Sequence, residues 1–123
     1  VLTIEAKTMA DMIRHQILPA VSDYADQLCQ RAYHKDAMGV PHQYETSTAM
    51  QIGTLTDALQ ADCAKLEAEL AAIPVGSIKA MNYCHEVLIP DMAEARKAAD
   101  QLETLTASKS WPFPVYSDLL FYV

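Results

Sequence analysis

Apolar residues recur every three or four positions along three stretches of the chain, which is the spacing of one buried helix face. The second stretch shows this most clearly, with Ile52, Leu55, Leu59, Cys63, Leu66, Leu70 and Ile73. The first stretch carries Met9, Ile13, Ile17, Ala20, Tyr24 and Leu28. The third carries Ile78, Met81, His85, Leu88, Met92, Ala95, Ala99 and Leu102. The pattern predicts three long helices, each with one face in a shared core.

Glycine and proline separate the three stretches, because both residues end helices. One break is Met38-Gly39-Val40-Pro41-His42 and the next is Ile73-Pro74-Val75-Gly76-Ser77. Ser77 is placed to act as the N-cap of the third helix, where a side-chain oxygen accepts from a free backbone N–H. The predicted helices cover residues 2–36, 46–72 and 77–107, followed by a tail over 108–123.

Short connections between long helices make neighbouring helices antiparallel. The predicted fold class is therefore all-α: a single domain over residues 1–123, built as an antiparallel up-down-up three-helix bundle with an extended, aromatic and proline-containing C-terminal tail. The chain begins at Val1 within a helical pattern, so we expect it to be a fragment of a longer protein.

Two prolines fall near the middle of predicted helices, Pro19 in the first and Pro90 in the third. A proline inside a helix lacks the N–H that the helix needs and clashes with the preceding turn, so both helices should bend. In an up-down-up bundle the two bends should lie at similar heights, with His15 and His85 on the interrupted turns.

The tail combines Trp111-Pro112-Phe113-Pro114 with Tyr116, Phe121 and Tyr122. Aromatic side chains of this size gain much from burial. We expect the segment from Trp111 to Phe121 to fold back on the bundle with the Trp111 ring buried, and insertion into a partner is the alternative.

The formal net charge of −7 argues against nucleic acid or an anionic membrane as partner, because both favour a basic face. Nor does any apolar run approach the ~20 residues that cross a bilayer. Three widely spaced cysteines, Cys29, Cys63 and Cys84, contain no CxxC pair and predict reduced, partly buried thiols.

Candidate chemistry is sparse. Cys84 and His85 are adjacent, but neighbours on a helix point in different directions. A packed or hydrogen-bonded His85 on the buried face is therefore preferred over a nucleophile–base pair. His34 and His42 flank the first break and are interpreted as solvated residues rather than metal ligands. No Glu-x-x-His pair of the di-iron type occurs in the sequence. We predict no catalytic, cofactor-binding or metal-ligating residue in this chain.

The carboxylates are interpreted as helix surface. Asp57, Asp62, Glu67 and Glu69 are assigned to an exposed face of the second helix. On the third helix, Glu94, Asp100 and Glu103 alternate with Arg96 and Lys97, which favours exposed pairs three or four residues apart.

Three ordered motifs resemble the C-terminal helical part of type III glutamine synthetases. The first is Leu2-Thr3-Ile4-Glu5-Ala6-Lys7-Thr8-Met9-Ala10-Asp11-Met12 with Ile17-Leu18-Pro19-Ala20. The second is Val87-Leu88-Ile89-Pro90-Asp91-Met92 with Arg96, Asp100, Leu102 and Glu103, and the third is Trp111-Pro112-Phe113-Pro114-Val115-Tyr116 with Leu119-Leu120-Phe121. Residues 35–80 carry no such motif, and Ala95 stands where a larger apolar residue is typical of the family.

The reduced thiols favour a cytoplasmic protein. The resemblance implies a parent enzyme that makes glutamine from glutamate and ammonia with ATP and Mg²⁺ or Mn²⁺. It also implies that the catalytic residues lie upstream, so this segment would be a non-catalytic appendage that organises subunits. Its partners would be the upstream catalytic domain and other subunits of a homo-oligomer. The alternative from the residues alone is a free-standing helical scaffold or protein-binding module.

Overall fold

The computed structural model describes residues 2–113, and every regular element in that range is helical. Three long helices account for nearly all of it. The first consists of α1 (Leu2–Met12), a π-helical turn (Ile13–Ile17) and α2 (Leu18–Ala37). The second is α3 (Gln43–Ala71). The third consists of α4 (Ser77–Tyr83), a π-helical turn (Cys84–Leu88) and α5 (Ile89–Leu105), and a short 3₁₀ turn (Ser108–Ser110) follows. The predicted all-helical class with three helices is confirmed.

The helix ends differ slightly from the predicted ones. The second helix begins at Gln43, three residues before the predicted start, directly after the non-helical His42. The third ends at Leu105, because the backbone of Thr106 is extended, with φ −94° and ψ 138°. Both ends are thus set by single residues whose backbone leaves the helical region.

Ser77 is the first residue of the third helix and not its N-cap, so that prediction is wrong. The cap position is occupied by Gly76, whose φ of +106° and ψ of 134° lie in a region that essentially only glycine adopts. Its carbonyl accepts the first helical hydrogen bond, from the N–H of Ala80 at 2.9 Å. Glycine geometry, and not a side-chain hydrogen bond, begins this helix.

Each mid-helix proline follows a π-helical turn at the same offset. The turn Ile13–Ile17 ends two residues before Pro19, and the turn Cys84–Leu88 ends two residues before Pro90. In both turns, the residue that follows the turn donates its backbone N–H to the carbonyl five residues earlier. Leu18 donates to Ile13, and Ile89 donates to Cys84. The wider turn moves preceding carbonyls away from the proline ring, which would clash with them in a regular α-helix. That the two sites bend at the same height stays a prediction.

The core runs along the predicted stripe of the second helix. Ile52, Leu59, Cys63 and Leu66 are fully buried, and Leu55, Leu70 and Ile73 pack against them half-buried. From the first helix, Ala6, Ala10, Ile13, Ile17, Val21, Tyr24 and Leu28 join the core. Burying a side chain such as Leu59 contributes about 1.5–3 kcal/mol, so this stripe supplies much of the favourable free energy of folding.

The third helix departs from its predicted face before the π-helical turn and within its first residues. Ile78, Met81 and His85 are exposed, whereas Leu88 and Leu102 are fully buried. A π-helical turn takes up one extra residue, which rotates the preceding helix by about 100° relative to the face that continues after it. A stripe that is continuous in sequence is therefore split between solvent and core.

Specific contacts tie the first helix to the second. Arg14 Nη2 lies 2.6 Å from Glu67 Oε1, and the Cys63 thiol donates to the carbonyl of Ala10 at 3.4 Å. Near the connection, Lys35 pairs with the carboxylate of Glu45, whose residue is buried. The hydrogen bond from Lys35 holds the pKa of Glu45 below its usual value. Early residues of the first helix thus contact late residues of the second.

The second helix also contacts the third. Lys65 Nζ lies 3.3 Å from Asp91 Oδ1, and the Tyr83 hydroxyl donates to the carbonyl of Glu69 at 2.9 Å.

No helix among residues 2–113 combines the length and the apolar character needed to span a membrane.

Candidate interaction surfaces

The structure does not bring Cys84 and His85 together as a pair for catalysis. Cys84 is half-buried against the core, whereas His85 is exposed. The expectation that His85 lies on the buried face is therefore wrong, because the π-helical turn changes which residues face the core. All three cysteines are free: Cys63 is buried, Cys84 half-buried and Cys29 exposed.

His34 and His42 take part in separate local contacts. The His34 ring meets the Tyr33 ring edge-on, with centroids 6.1 Å apart. His42 Nδ1 lies 3.1 Å from the carbonyl of Val40, and Nε2 lies 3.7 Å from Asp36 Oδ1. Among residues 2–113, no three His, Cys, Asp or Glu side chains are grouped as a metal would require.

The carboxylates assigned to an exposed face of the second helix are partly buried, which corrects that interpretation. Asp62, Glu67 and Glu69 are all half-buried, and only Asp57 of the four is exposed. Glu67 pairs with Arg14, while Asp62 and Glu69 face the third helix. On the third helix, Arg96 and Asp100 form the expected pair at 3.4 Å.

Glu69 has the most altered acidity of these groups. Burial, together with the neighbouring Asp91 carboxyl, raises the pKa of Glu69 to about 7, although Lys65 opposes the shift. Its Oε2 atom is buried without a hydrogen-bond partner in the described part of the chain. A proton on Glu69 would remove the repulsion from Asp91 and reduce the cost of burial. We infer that Glu69 carries a proton across much of the acidic range.

This acidity predicts how stability depends on pH. The pKa of Glu69 in the folded chain lies above its usual value of 4.5, so folding favours the protonated form. Its contribution should be fully present below about pH 4.5 and be lost as the pH rises through about 7. In urea unfolding at several pH values, Glu69→Gln should gain stability relative to the native chain across that window. If the free energies of unfolding of the two proteins changed with pH in the same way, the assignment of a raised pKa to Glu69 would be wrong.

Four exposed apolar side chains lie near the start of the first helix and around the start of the third: Ile4 (66% exposed), Val75 (95%), Ile78 (72%) and Met81 (56%). They form what we call the basal patch. No residue of α4 (Ser77–Tyr83) is buried. Ile78 and Met81 on these two turns therefore face solvent, and only Tyr83 at their end packs against the core.

A second exposed apolar group lies at the connection between the first and second helices. It comprises Tyr33, Met38, Val40 and Tyr44, and we call it the hairpin patch. Exposed apolar residues that occur together, unlike scattered ones, mark sites of contact with other proteins. The two patches are therefore candidate surfaces for contact with a partner.

A groove between the first and third helices encloses about 810 Å³. Its apolar lining includes Met9, Met12, Ile13, Met92, Trp111 and Phe113. Trp111 and Phe113 are half-buried, and their rings meet edge-on with centroids 6.4 Å apart. Trp111 thus packs against the core, although less completely than predicted, and the rest of the predicted tail contact, residues 114–121, lies outside the described residues.

Sequence reasoning missed the basal patch and the Glu69–Asp91 contact for one reason. Both depend on how the third helix is rotated against the second, and helical periodicity does not report the extra residue of a π-helical turn. The sequence feature that could have indicated the π-helical turn is Pro90, which lies six residues after its start.

Comparison with known proteins places the chain beside glutamine synthetases. It is 26% identical over 130 residues to the type-3 glutamine synthetase of Dictyostelium discoideum, across 98% of this chain. It is 28% identical over 128 residues to the glutamine synthetase of Butyrivibrio fibrisolvens, across 96% of this chain. The chain spans 17% of the length of each of these curated relatives. No family model and no solved structure matches it. The predicted resemblance to type III glutamine synthetase is confirmed.

Proposed function

We propose that this chain is a non-catalytic helical segment of an ATP-dependent glutamate–ammonia ligase, and that it stabilises or organises the subunits of that enzyme. One observation carries the proposal: two glutamine synthetases match nearly the whole chain, yet the chain spans only 17% of their length. Most of such an enzyme, with room for its catalytic machinery, would then lie outside this segment.

The position at the C-terminal side of the enzyme is part of the proposal. It is supported by the ordered motifs that begin at Leu2, resume at Val87 and continue from Trp111. ATP and Mg²⁺ or Mn²⁺ would bind to the rest of the enzyme. Its location would be the cytoplasm, and its partners would be the upstream catalytic domain and further copies of the same subunit.

A structural role is supported by the shape that the contacts imply. Arg14 contacts Glu67 and Lys35 contacts Glu45, so residue numbers rise along the first helix as they fall along the second. Tyr83 contacts Glu69 and Lys65 contacts Asp91, so residue numbers also run in opposite directions along the second and third helices. Together these contacts support the antiparallel up-down-up order. The order leaves the basal patch at one end and the hairpin patch at the other, and a segment with two apolar ends is suited to connecting two bodies.

A free-standing helical scaffold or protein-binding module is the second candidate, favoured by the same two exposed patches. The two candidates differ in what is encoded before Val1. A reading frame that continues upstream into a catalytic domain supports the ligase segment, and a start codon immediately before Val1 supports the free-standing module.

Residues 2–113 contain no cluster suited to holding a metal, and ATP would need such cations or a basic phosphate site. Titration of the isolated chain with ATP and Mg²⁺ in a calorimeter should therefore give no binding heat, and the chain should form no glutamine. The longer ligase, titrated in parallel, provides the positive control. Micromolar ATP binding by the isolated chain would contradict a non-catalytic role.

A further inference from the structure

Three of the four residues of the basal patch lie in a stretch that carries little charge. Between residues 73 and 83, Lys79 is the only charged side chain, although a fifth of the whole chain is charged. Charged residues are depleted at the centres of protein interfaces, because removing an unpaired charge from water is costly. The segment combines exposed Val75, Ile78 and Met81 with almost no charge to keep it in water.

The first helix begins at the same end of the molecule. Thr3 and Lys7 line one cavity with Leu70 and Ala71, so the start of the first helix lies beside the end of the second. The third helix begins only a few residues later, at Ser77. Ile4, which is exposed, therefore shares this end with Val75 and Ile78.

We propose that the basal patch packs against the catalytic part of the same ligase polypeptide. The inference rests on the proposed function, because that function places the catalytic part before Val1. The relatives extend far beyond the matched segment, so a large folded body is available to cover the patch. Because the catalytic part would connect to the start of the first helix, it would lie next to the basal patch. Ile78 and Met81 in that patch are not covered by any of residues 2–113. The contact fixes the orientation of the helical segment on the enzyme.

Amide hydrogen exchange measures this contact directly. Residues 77–83 should exchange at least about tenfold more slowly in the longer ligase than in the isolated chain, because docking suppresses local opening of this end. Peptides from the core of the second helix, around Leu59 and Cys63, serve as the internal reference, since they are buried in both proteins.

Substitution then tests which residues are responsible. Ile78→Asp together with Met81→Asp should remove the added protection in the longer ligase. The matched control is Met50→Asp, also an exposed apolar residue (70% exposed) but outside both patches, and it should leave the protection in place. Circular dichroism of each variant as an isolated chain confirms that the helices persist.

The outcomes separate the two proposals. Equal exchange of 77–83 in the isolated chain and in an assembled, active ligase would overturn the docking contact while leaving the proposed function intact. A longer protein without ligase activity would overturn the proposed function itself. Protection that rises with the concentration of the isolated chain would assign the patch to a second copy of this segment, and it would also overturn the inference.

Discussion

Replacing Leu88 with alanine should lower the free energy of unfolding by about 2–5 kcal/mol, whereas Ile78→Ala should change it by less than about 0.5 kcal/mol. Both residues belong to the same apolar stripe in the sequence. Leu88 is fully buried and Ile78 is 72% exposed, because the π-helical turn Cys84–Leu88 rotates the two parts of the helix apart. Removing buried methyl groups costs transfer free energy and leaves a cavity.

Chemical denaturation of the two variants of the isolated chain measures this difference. Ile78→Ala is the matched control, since it makes a comparable truncation in the same helix. Comparable losses for the two variants would mean that the third helix keeps one continuous buried face, and the described rotation would then be wrong.

Gly76→Ala should destabilise the chain by about 1–3 kcal/mol. Gly76 has a φ of +106°, which an L-residue with a Cβ atom rarely adopts, and the strain is conformational because no atom lies within 4 Å of the added Cβ. Gly53→Ala is the control, because Gly53 lies inside the second helix with equally open space. That change should stabilise the chain by about 0.5–1 kcal/mol, since alanine loses less entropy on entering a helix.

Thermal or urea unfolding of both glycine variants should thus give shifts of opposite sign. A stabilised Gly76→Ala variant would show that the third helix begins without a left-handed residue. In that case Ser77 would regain its predicted place as the N-cap.

The second helix could be predicted almost completely from the sequence. Its stripe from Ile52 to Leu66 is regular, contains no proline, and is buried as the 3.6-residue period requires. Its start was misplaced because Gln43 and Tyr44 carry no capping signature, and the non-helical backbone of His42 sets the boundary. Strong periodicity predicts that a helix exists better than it predicts the residue at which the helix begins.

The third helix shows where pattern reasoning fails. The prediction of a disturbance near Pro90 had a sound physical basis, but the expected bend gave no reason to change the register. A π-helical turn relieves the clash between the proline ring and the preceding carbonyls by including one extra residue. The extra residue changes the register, so Ile78, Met81 and His85 are exposed instead of joining the core. The raised pKa of Glu69 also depends on tertiary packing, because it comes first from burial of the carboxyl and then from the neighbouring Asp91.

The candidate surfaces were not predictable for a related reason. Exposure of Val75 or Tyr33 is a property of the packed molecule, and the sequence alone presents both as ordinary apolar residues. The resemblance to glutamine synthetases, in contrast, was available from short motifs at Leu2 and Val87 and is supported by matches over nearly the whole chain.

The central proposal is that this segment organises the subunits of a ligase without taking part in its chemistry. The mass of the longer ligase in solution, measured by mass photometry with and without residues 2–113, tests it most directly. We predict that removing the segment shifts the enzyme from its full assembly to smaller species. A truncated enzyme that kept both the full assembled mass and the full rate of glutamine formation would contradict this account.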